Sequence, residues 1–433
     1  MDTWLLTNEN TIKTNKLTAF FYGLAELGPA SLDIFIKVYL LVYFDKVMGL
    51  PLSKASLAIG ISVFWDALID PYIGRFSDQY YSKNKTRKNI LFLASFLMTI
   101  SFLLVWHLPQ GSETYLFFSL LVVSALLNSS LALFSIPYVA VANDVEPDNQ
   151  KRKSWIGWRV VFLNVGSIFG LSVAAIYMTQ QSSSSEQNSY SGPTLILSVV
   201  TLLTSIFSIH YVSKNSVRPR SSEEHQKSLP LKVIFSDGLF KKLLASFFIV
   251  YCGTGLNSTL ALYYYRNYLN LAEKQIQIIL VLFLVIFTFS VPLWLWLSKK
   301  FSQKNLIICG AGALGLLTLA AFPNLKGQSF WLIFFCASFL GGIFVGVAVI
   351  LETYLSEYLN RKEMELKQSI SGQYLGLWKM CQKISRAVAV GLSGPILEYS
   401  DKNPQILANF FGYGVGSLFL ISALIMLIPV SNE

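Results

Sequence analysis

Trp65-Asp66-Ala67-Leu68-Ile69-Asp70-Pro71-Tyr72-Ile73-Gly74 closes an apolar run that begins near Ala55. Read as a helix, the run puts Asp66 and Asp70 on one face, one turn apart. At the centre of a bilayer each carboxylate costs roughly 2.5–3.5 kcal/mol on an insertion scale. Pro71 has no N–H to offer the Ala67 carbonyl, which leaves a free oxygen at the same level. Two acids and a loose carbonyl suit a small cation or a proton. The bland alternative is that both acids only pair with Lys or Arg elsewhere in the chain. Ionisable groups held inside a membrane mark ion pathways by default.

The rest of the chain supplies the membrane. Of 433 residues, 53% are hydrophobic and only 13% charged, about half the charge of a soluble domain. Apolar runs near 20 residues recur along the whole length, each enough to cross a hydrocarbon core of about 30 Å. Twelve spans are expected, near 17–44, 54–77, 89–107, 115–142, 155–178, 192–212, 240–267, 275–298, 305–323, 330–354, 370–396 and 406–430. Residues 1–16 are polar and the first apolar run is long, so no cleavable leader is expected. Cys252, Cys309, Cys336 and Cys381 all fall inside apolar runs and read as small buried hydrophobes.

The net charge of +10 resides largely in alternate loops. Lys83, Lys85, Arg87 and Lys88 follow span two, Lys151, Arg152 and Lys153 span four, and Lys299, Lys300 and Lys304 span eight. The intervening loops 108–114 and 179–191 hold no Lys or Arg. The positive-inside rule then places both termini in the cytoplasm, in a plasma or bacterial inner membrane, and removes nucleic acid as a partner. The longest polar link, 213–239, splits the chain into lobes 1–212 and 240–433 of six spans each. That is the layout of a carrier whose site lies between its halves near the midplane.

Further polar groups point inward. Glu26, Asp33 and Lys37 share one stripe of span one, and Asp33 and Lys37 are spaced to pair with each other. Tyr138 closes the Ser135-Ile136-Pro137-Tyr138 segment of span four. Arg159 lies beyond the first turn of span five, where it either snorkels to the interface or reaches inward to Asp66 or a substrate anion. Lys379, Lys383 and Arg386 share a face of span eleven, which must turn away from lipid. The run Tyr263-Tyr264-Tyr265 at the end of span seven reads first as an interfacial belt, with a gate or substrate wall as the alternative. His107, His210 and His225 are scattered, and no nucleophile–base set or Walker-type phosphate loop appears. An enzyme is not expected, and an ion gradient is the expected energy source.

The pattern Trp65-Asp66-x-x-x-Asp70-Pro71-x-x-Gly74-x-x-Ser77-Asp78 resembles the glycoside–pentoside–hexuronide:cation symporters of the major facilitator superfamily. Tyr22-Gly23, Ile136-Pro137-Tyr138, Trp158-Arg159 and Gly376-Leu377-Trp378 with Lys383 extend the likeness over nearly the whole chain. The resemblance implies an all-α integral membrane protein, twelve transmembrane helices in two six-helix lobes. It implies that Asp66 and Asp70 ligate the coupling cation, that Arg159 lies by the substrate, and that Lys383 neutralises the cavity carboxylates. Ser135 stands where the melibiose carrier has a third cation-binding carboxylate, Val139 where it has an aromatic platform, and Ala30 where it has a sugar-gripping acid. A galactoside kit is therefore largely missing.

The expectation is a monomeric Na+- or H+-coupled symporter of a small organic solute, charged or zwitterionic, with no cofactor beyond the coupling ion. Its cation site is Asp66, Asp70 and Ser135, with Na+ on the two aspartates if sodium is the ion. Its substrate site draws on Glu26, Asp33, Lys37, Tyr138, Arg159, Lys379 and Lys383. Two other readings stand beside it: a sodium-dependent lysophospholipid carrier, and a carrier fold kept as a receptor or scaffold.

Overall fold

A computed structural model describes residues 16–145, 149–179, 186–214, 231–366, 371–401 and 403–429. Among them every element is helical. The first crossing is α1 (Lys16–Leu24) and α2 (Leu27–Lys46), joined at a break around Glu26. The next five are α3 (Leu52–Asn84), α4 (Lys88–Trp106), α5 (Glu113–Val145), α6 (Asn149–Thr179) and α7 (Glu186–Lys214). A short α8 (Leu231–Ser236) precedes α9 (Gly238–Tyr263), α10 (Glu273–Leu297), α11 (Gln303–Ala321), α12 (Phe330–Leu366) and α13 (Ser371–Asp401). The last crossing is α14 (Pro404–Asn409), a π-helical turn and α15 (Val415–Leu427). Most of the link expected at 213–239 lies outside the described residues.

Among the described residues, eleven crossings are long and apolar enough to span a membrane. The twelfth, α13, has 31 residues, about 46 Å of helix. Lys379, Lys383 and Arg386 lower its apolarity, and all three face carboxylates of other helices. A span can hold such charges only if they turn away from lipid, and Lys383 and Arg386 turn into the bundle.

Twelve crossings return α15 to the face from which α1 starts, here called the terminal face; the opposite one is the far face. Within the first half, α3 packs on α5, α5 on α4, α4 on α7 and α2 on α6. Within the second, α11 packs on α15, α10 on α12 and α9 on α13 and α15. Among the described residues the halves pack most extensively through α3 with α13, α6 with α10, and α2 with α9. The α3–α13 crossing is tight because it is built on glycine. A Cβ on Gly394 would stand 2.0 Å from the Ser56 hydroxyl and 2.3 Å from the Leu52 carbonyl. Small residues let helix backbones approach this closely in a membrane.

The far face is tied shut. The Tyr39 hydroxyl donates to Gln277 at 2.7 Å, Tyr263 donates to Asp45 at 3.2 Å, and the Ser53 amide donates to Glu398 at 2.8 Å. Each bond links one half to the other. The aromatic run departs from the belt expectation here. Tyr263, Tyr264 and Tyr265 are all buried in protein. Tyr264 opens a π-helical turn, donates to the Phe322 carbonyl at 2.5 Å and stacks on Phe411. A belt needs a lipid-facing ring, and these rings pack inside the bundle, with Tyr265 on the cavity wall.

Each half also carries a buried ionic knot near the terminal face. Arg87, at the start of α4, donates to Asp144 at 2.7 Å and Asp78 at 2.9 Å, and bonds Ser77. Asp237 caps α9 by accepting from the Phe240 amide at 3.1 Å, and its other oxygen takes bonds from Lys362 and Tyr358, and from Tyr374 at 3.2 Å. In sequence Arg87 reads only as one of several loop cations, so neither knot is visible there.

Candidate cation and substrate site

α3 runs unbroken through Pro71, and its aspartates face α13. The Lys383 ammonium lies between them, 2.8 Å from Asp66 Oδ2 and 2.5 Å from Asp70 Oδ2. The second oxygen of each carboxylate, Oδ1, is buried and has no hydrogen-bond partner among the described residues. A buried carboxylate oxygen without a partner is costly. Two of them beside a single ammonium make a site short of positive charge and of donors. The floor of the site is fixed by polar ties between α3 and α5. Trp65 donates to Ser129 at 3.0 Å and Asn128 donates to Ser62 at 3.3 Å. Ser135 is half-buried on the same α5, next to Ile136, whose side chain faces Gly74 of α3. It makes no hydrogen bond with the described residues, so its hydroxyl is held by nothing in the site.

Arg159 turns inward. It pairs with Glu26 at 2.8 Å, not with Asp66. The break between α1 and α2 sits at Glu26, whose amide bonds back to the Gly23 carbonyl at 2.9 Å, and this exposes the acid to α6. Tyr138 lies beneath the pair. It is buried, stacks on Tyr22 with centroids 4.6 Å apart, and presents its ring to the Arg159 guanidinium at 5.8 Å. Its hydroxyl is consumed by the Tyr22 carbonyl. Tyr138 therefore orients Arg159 and offers the interior no free polar atom of its side chain.

Asp33 and Lys37 pair along α2 as their spacing predicts, and Arg386 of α13 joins them at 3.7 Å from Asp33. Lys379, more exposed, meets Glu352 of α12 at 3.4 Å. Lys37, Lys383 and Arg386 together line one end of a cavity of about 490 Å³. Its other walls are mostly apolar, with Phe283, Leu314, Phe344 and Phe419 among them. Asn257, Thr254 and Gln382 add the few neutral polar groups. A pocket of this size with a small number of placed polar groups is what an organic ligand requires.

Two groups of residues escaped the sequence reading. Gln277, Asp45 and Glu398 carry the far-face ties, yet in sequence they are isolated polar residues at span ends. Arg386 was visible as a cation of span eleven but not as the partner of Asp33, more than 350 positions away. Among the described residues, no group of three His, Cys, Asp or Glu is placed to hold a metal, so a bound ion would rest on the Asp66–Asp70 pair and neutral oxygens.

An all-helical bundle of two packed halves with ionisable groups gathered between them is the major facilitator fold. The profile of the MFS/sugar transport protein family matches residues 21–430, and the chain belongs to that family. It is similar to the uncharacterized symporter YnaJ of Bacillus subtilis, 24% identical over 263 residues, 59% of this chain and 56% of that protein. It is also similar to the sodium-dependent lysophosphatidylcholine symporter 1 of Xenopus tropicalis, 23% identical over 150 residues, 34% of this chain and 28% of that protein. The chain thus matches between 28% and 56% of the length of these relatives. The crystal structure of a D-xylose-proton symporter superposes with a TM-score of 0.71 at 14% identity, over 96% of this chain and 98% of that one.

Proposed function

We propose that this protein is a secondary active symporter that couples one cation, sodium or a proton, to uptake of a small charged or zwitterionic organic solute. The observation that carries the reading is the Lys383 ammonium shared by Asp66 and Asp70, with one oxygen of each acid left without a partner. An entering cation takes the place of the ammonium on the two acids. Lys383 is then free to turn into the adjoining cavity and meet substrate. Cation and solute so favour each other's binding, and that mutual preference is the coupling free energy.

Transport follows from rocking the lobe 1–212 against the lobe 240–433 about the central site, with 213–239 as the cytoplasmic link. The far-face ties describe one end state, and their release opens the other. The basic loops support a cytoplasmic terminal face in a plasma or bacterial inner membrane. The protein works as a monomer, since each bundle holds a whole site. Substrate contacts fall to Lys37, Lys383, Arg159, Glu26 and Asp33, with Tyr138 behind Arg159 and Lys379 at the mouth. Ser135 is the neutral third oxygen of the cation site.

A second reading, a sodium-dependent lysophospholipid carrier, is favoured by the apolar walls of the cavity and by the likeness to the Xenopus lysophosphatidylcholine symporter. Thermal unfolding of purified protein, with and without sodium and across pH, over a panel of sugars, acids, amino acids and lysolipids, tests both. Cation-dependent stabilisation by one compound supports symport and names the class. Stabilisation confined to lysolipids selects the second reading. A protein indifferent to every cation at every pH is a scaffold, not a coupled carrier.

A further inference from the structure

Asp66 and Asp70 have a second cation within reach. Arg386 follows Lys383 by three residues on α13, about 4.5 Å along the helix axis. The two helices cross antiparallel: Gly394 meets Leu52 and Ser56, Gly60 backs on the Ala387 carbonyl, and Lys383 meets Asp66 and Asp70. Arg386 therefore stands on the Asp66 side of Lys383, and it acts electrostatically on Asp66. Its side chain is 32% exposed, which leaves the guanidinium room to turn. The buried Oδ1 atoms of both aspartates have no partner among the described residues, and a guanidinium brings five donors.

What draws the arginine elsewhere is on a third helix. Asp33 of α2 faces Arg386 with Oδ1, at 3.7 Å, and Lys37 with Oδ2. The Arg386 contact is beyond hydrogen-bond range, so it is an attraction of charge alone, and Lys37 shares it.

Resting on the coupling proposed above, we infer that Asp33 is a positioning residue of the cation site: it draws Arg386 toward α2 and so keeps it off Asp66 and Asp70. With Asp33 in place, an entering ion meets one competitor, Lys383, whose single ammonium leaves an oxygen of each acid open. Without Asp33, Arg386 turns onto Asp66 and fills those oxygens with a group that stays charged at any working pH. Two cations then hold two acids, and the ion has nothing to neutralise. α2 thus tunes the affinity for the ion without touching it.

Thermal melting of the purified protein without solute tests this. It reads the midpoint of stabilisation by sodium, against choline, or by protons across pH. Asp33→Asn should weaken cation binding about tenfold, which is about 1.4 kcal/mol or about one pH unit. Asp33→Ser takes its place if that variant does not fold. Arg386→Gln should bind the cation no more weakly than wild type. Two double variants with the net charge of wild type separate a misplaced arginine from a general change of field. Asp33→Asn with Arg386→Gln should recover the wild-type midpoint, because the freed competitor is gone. Asp33→Asn with Lys37→Gln should stay weak, because Arg386 is still free to turn. Any other pattern of recovery, or an unshifted midpoint in Asp33→Asn, overturns the inference. A cation response that Asp66→Asn abolishes, yet that ignores Asp33 and Arg386, removes only the positioning role. A wild type with no cation response, or one that survives Asp66→Asn, removes the coupling and this role with it.

Discussion

Lys383 of α13 reaches across the bundle to Asp70 of α3, its ammonium 2.5 Å from Oδ2, and holds Asp66 with the same group. The lysine thus occupies the place proposed for the coupling cation. Lys383→Gln removes that competitor and leaves two acids facing each other. The expected outcome is tighter cation binding, with the midpoint of sodium- or proton-dependent stabilisation shifted by about tenfold. Solute uptake should fall at least as far, because the released ammonium no longer serves the substrate. An unchanged midpoint would show that Lys383 does not compete for the site.

Glu26 and Arg159 form the second central pair, with side chains 11% and 26% exposed. Removing one partner strands the other where it is largely shielded from solvent. Glu26→Gln or Arg159→Gln alone should lower stability by more than the double variant does. A double-mutant cycle in the melting of detergent-solubilised protein should give a coupling of about 1–3 kcal/mol. Additive losses would mean the two side chains do not meet.

Asp237 lies just outside the spans, at the start of α9. Burial alone would raise its carboxyl, but hydrogen bonds from Lys362, Tyr358 and the Phe240 amide outweigh burial and hold it below the usual range. A carboxyl depressed in the folded state stabilises fully above its unfolded value, about 3.9. That contribution is lost as pH falls from there through the lower folded value. Asp237→Asn should therefore cost stability at neutral pH and flatten the acid limb of melting temperature against pH below about 4. An acid limb as steep as that of the wild type would remove Asp237 from the account.

Tyr39 and Gln277 close the far face through one hydrogen bond between halves. Tyr39→Phe deletes it and keeps the ring. A bond of this kind contributes about 0.5–1.5 kcal/mol, so the open state should gain two- to tenfold in population. A reporter at Ser258→Cys, which lines the cavity, reads this as faster labelling by an impermeant thiol reagent from that face. Exposed Cys309 is first replaced by Ser. Equal labelling rates would place the closure elsewhere.

The apolar runs made all twelve crossings legible in the sequence, α13 included, because span length survives a few charges. The four-residue spacings were legible too: Asp66 with Asp70, and Asp33 with Lys37, follow from helix geometry alone. What sequence could not supply was partner choice. Glu26 and Arg159 lie 133 positions apart, and nothing local says that a break between α1 and α2 turns one toward the other. By sequence Asp66 is an open partner for Arg159, and only the fold puts Lys383 in that place. The Tyr263–Tyr265 run went astray for a related reason. An amphipathic ring suits an interface and a packed polar junction equally, and only tertiary neighbours distinguish them.

The central claim is that Asp66 and Asp70 bind the coupling ion. Its most direct test is calorimetric titration of sodium into purified protein against choline, repeated across pH in two buffers of different ionisation heat. Wild type should show one saturable sodium site, with buffer-dependent heat where sodium displaces a proton, or, in runs that titrate solute instead, buffer-dependent proton uptake; Asp66→Asn should show neither. Absence of both signals in the wild type at every pH, or a site that survives Asp66→Asn, would contradict the account.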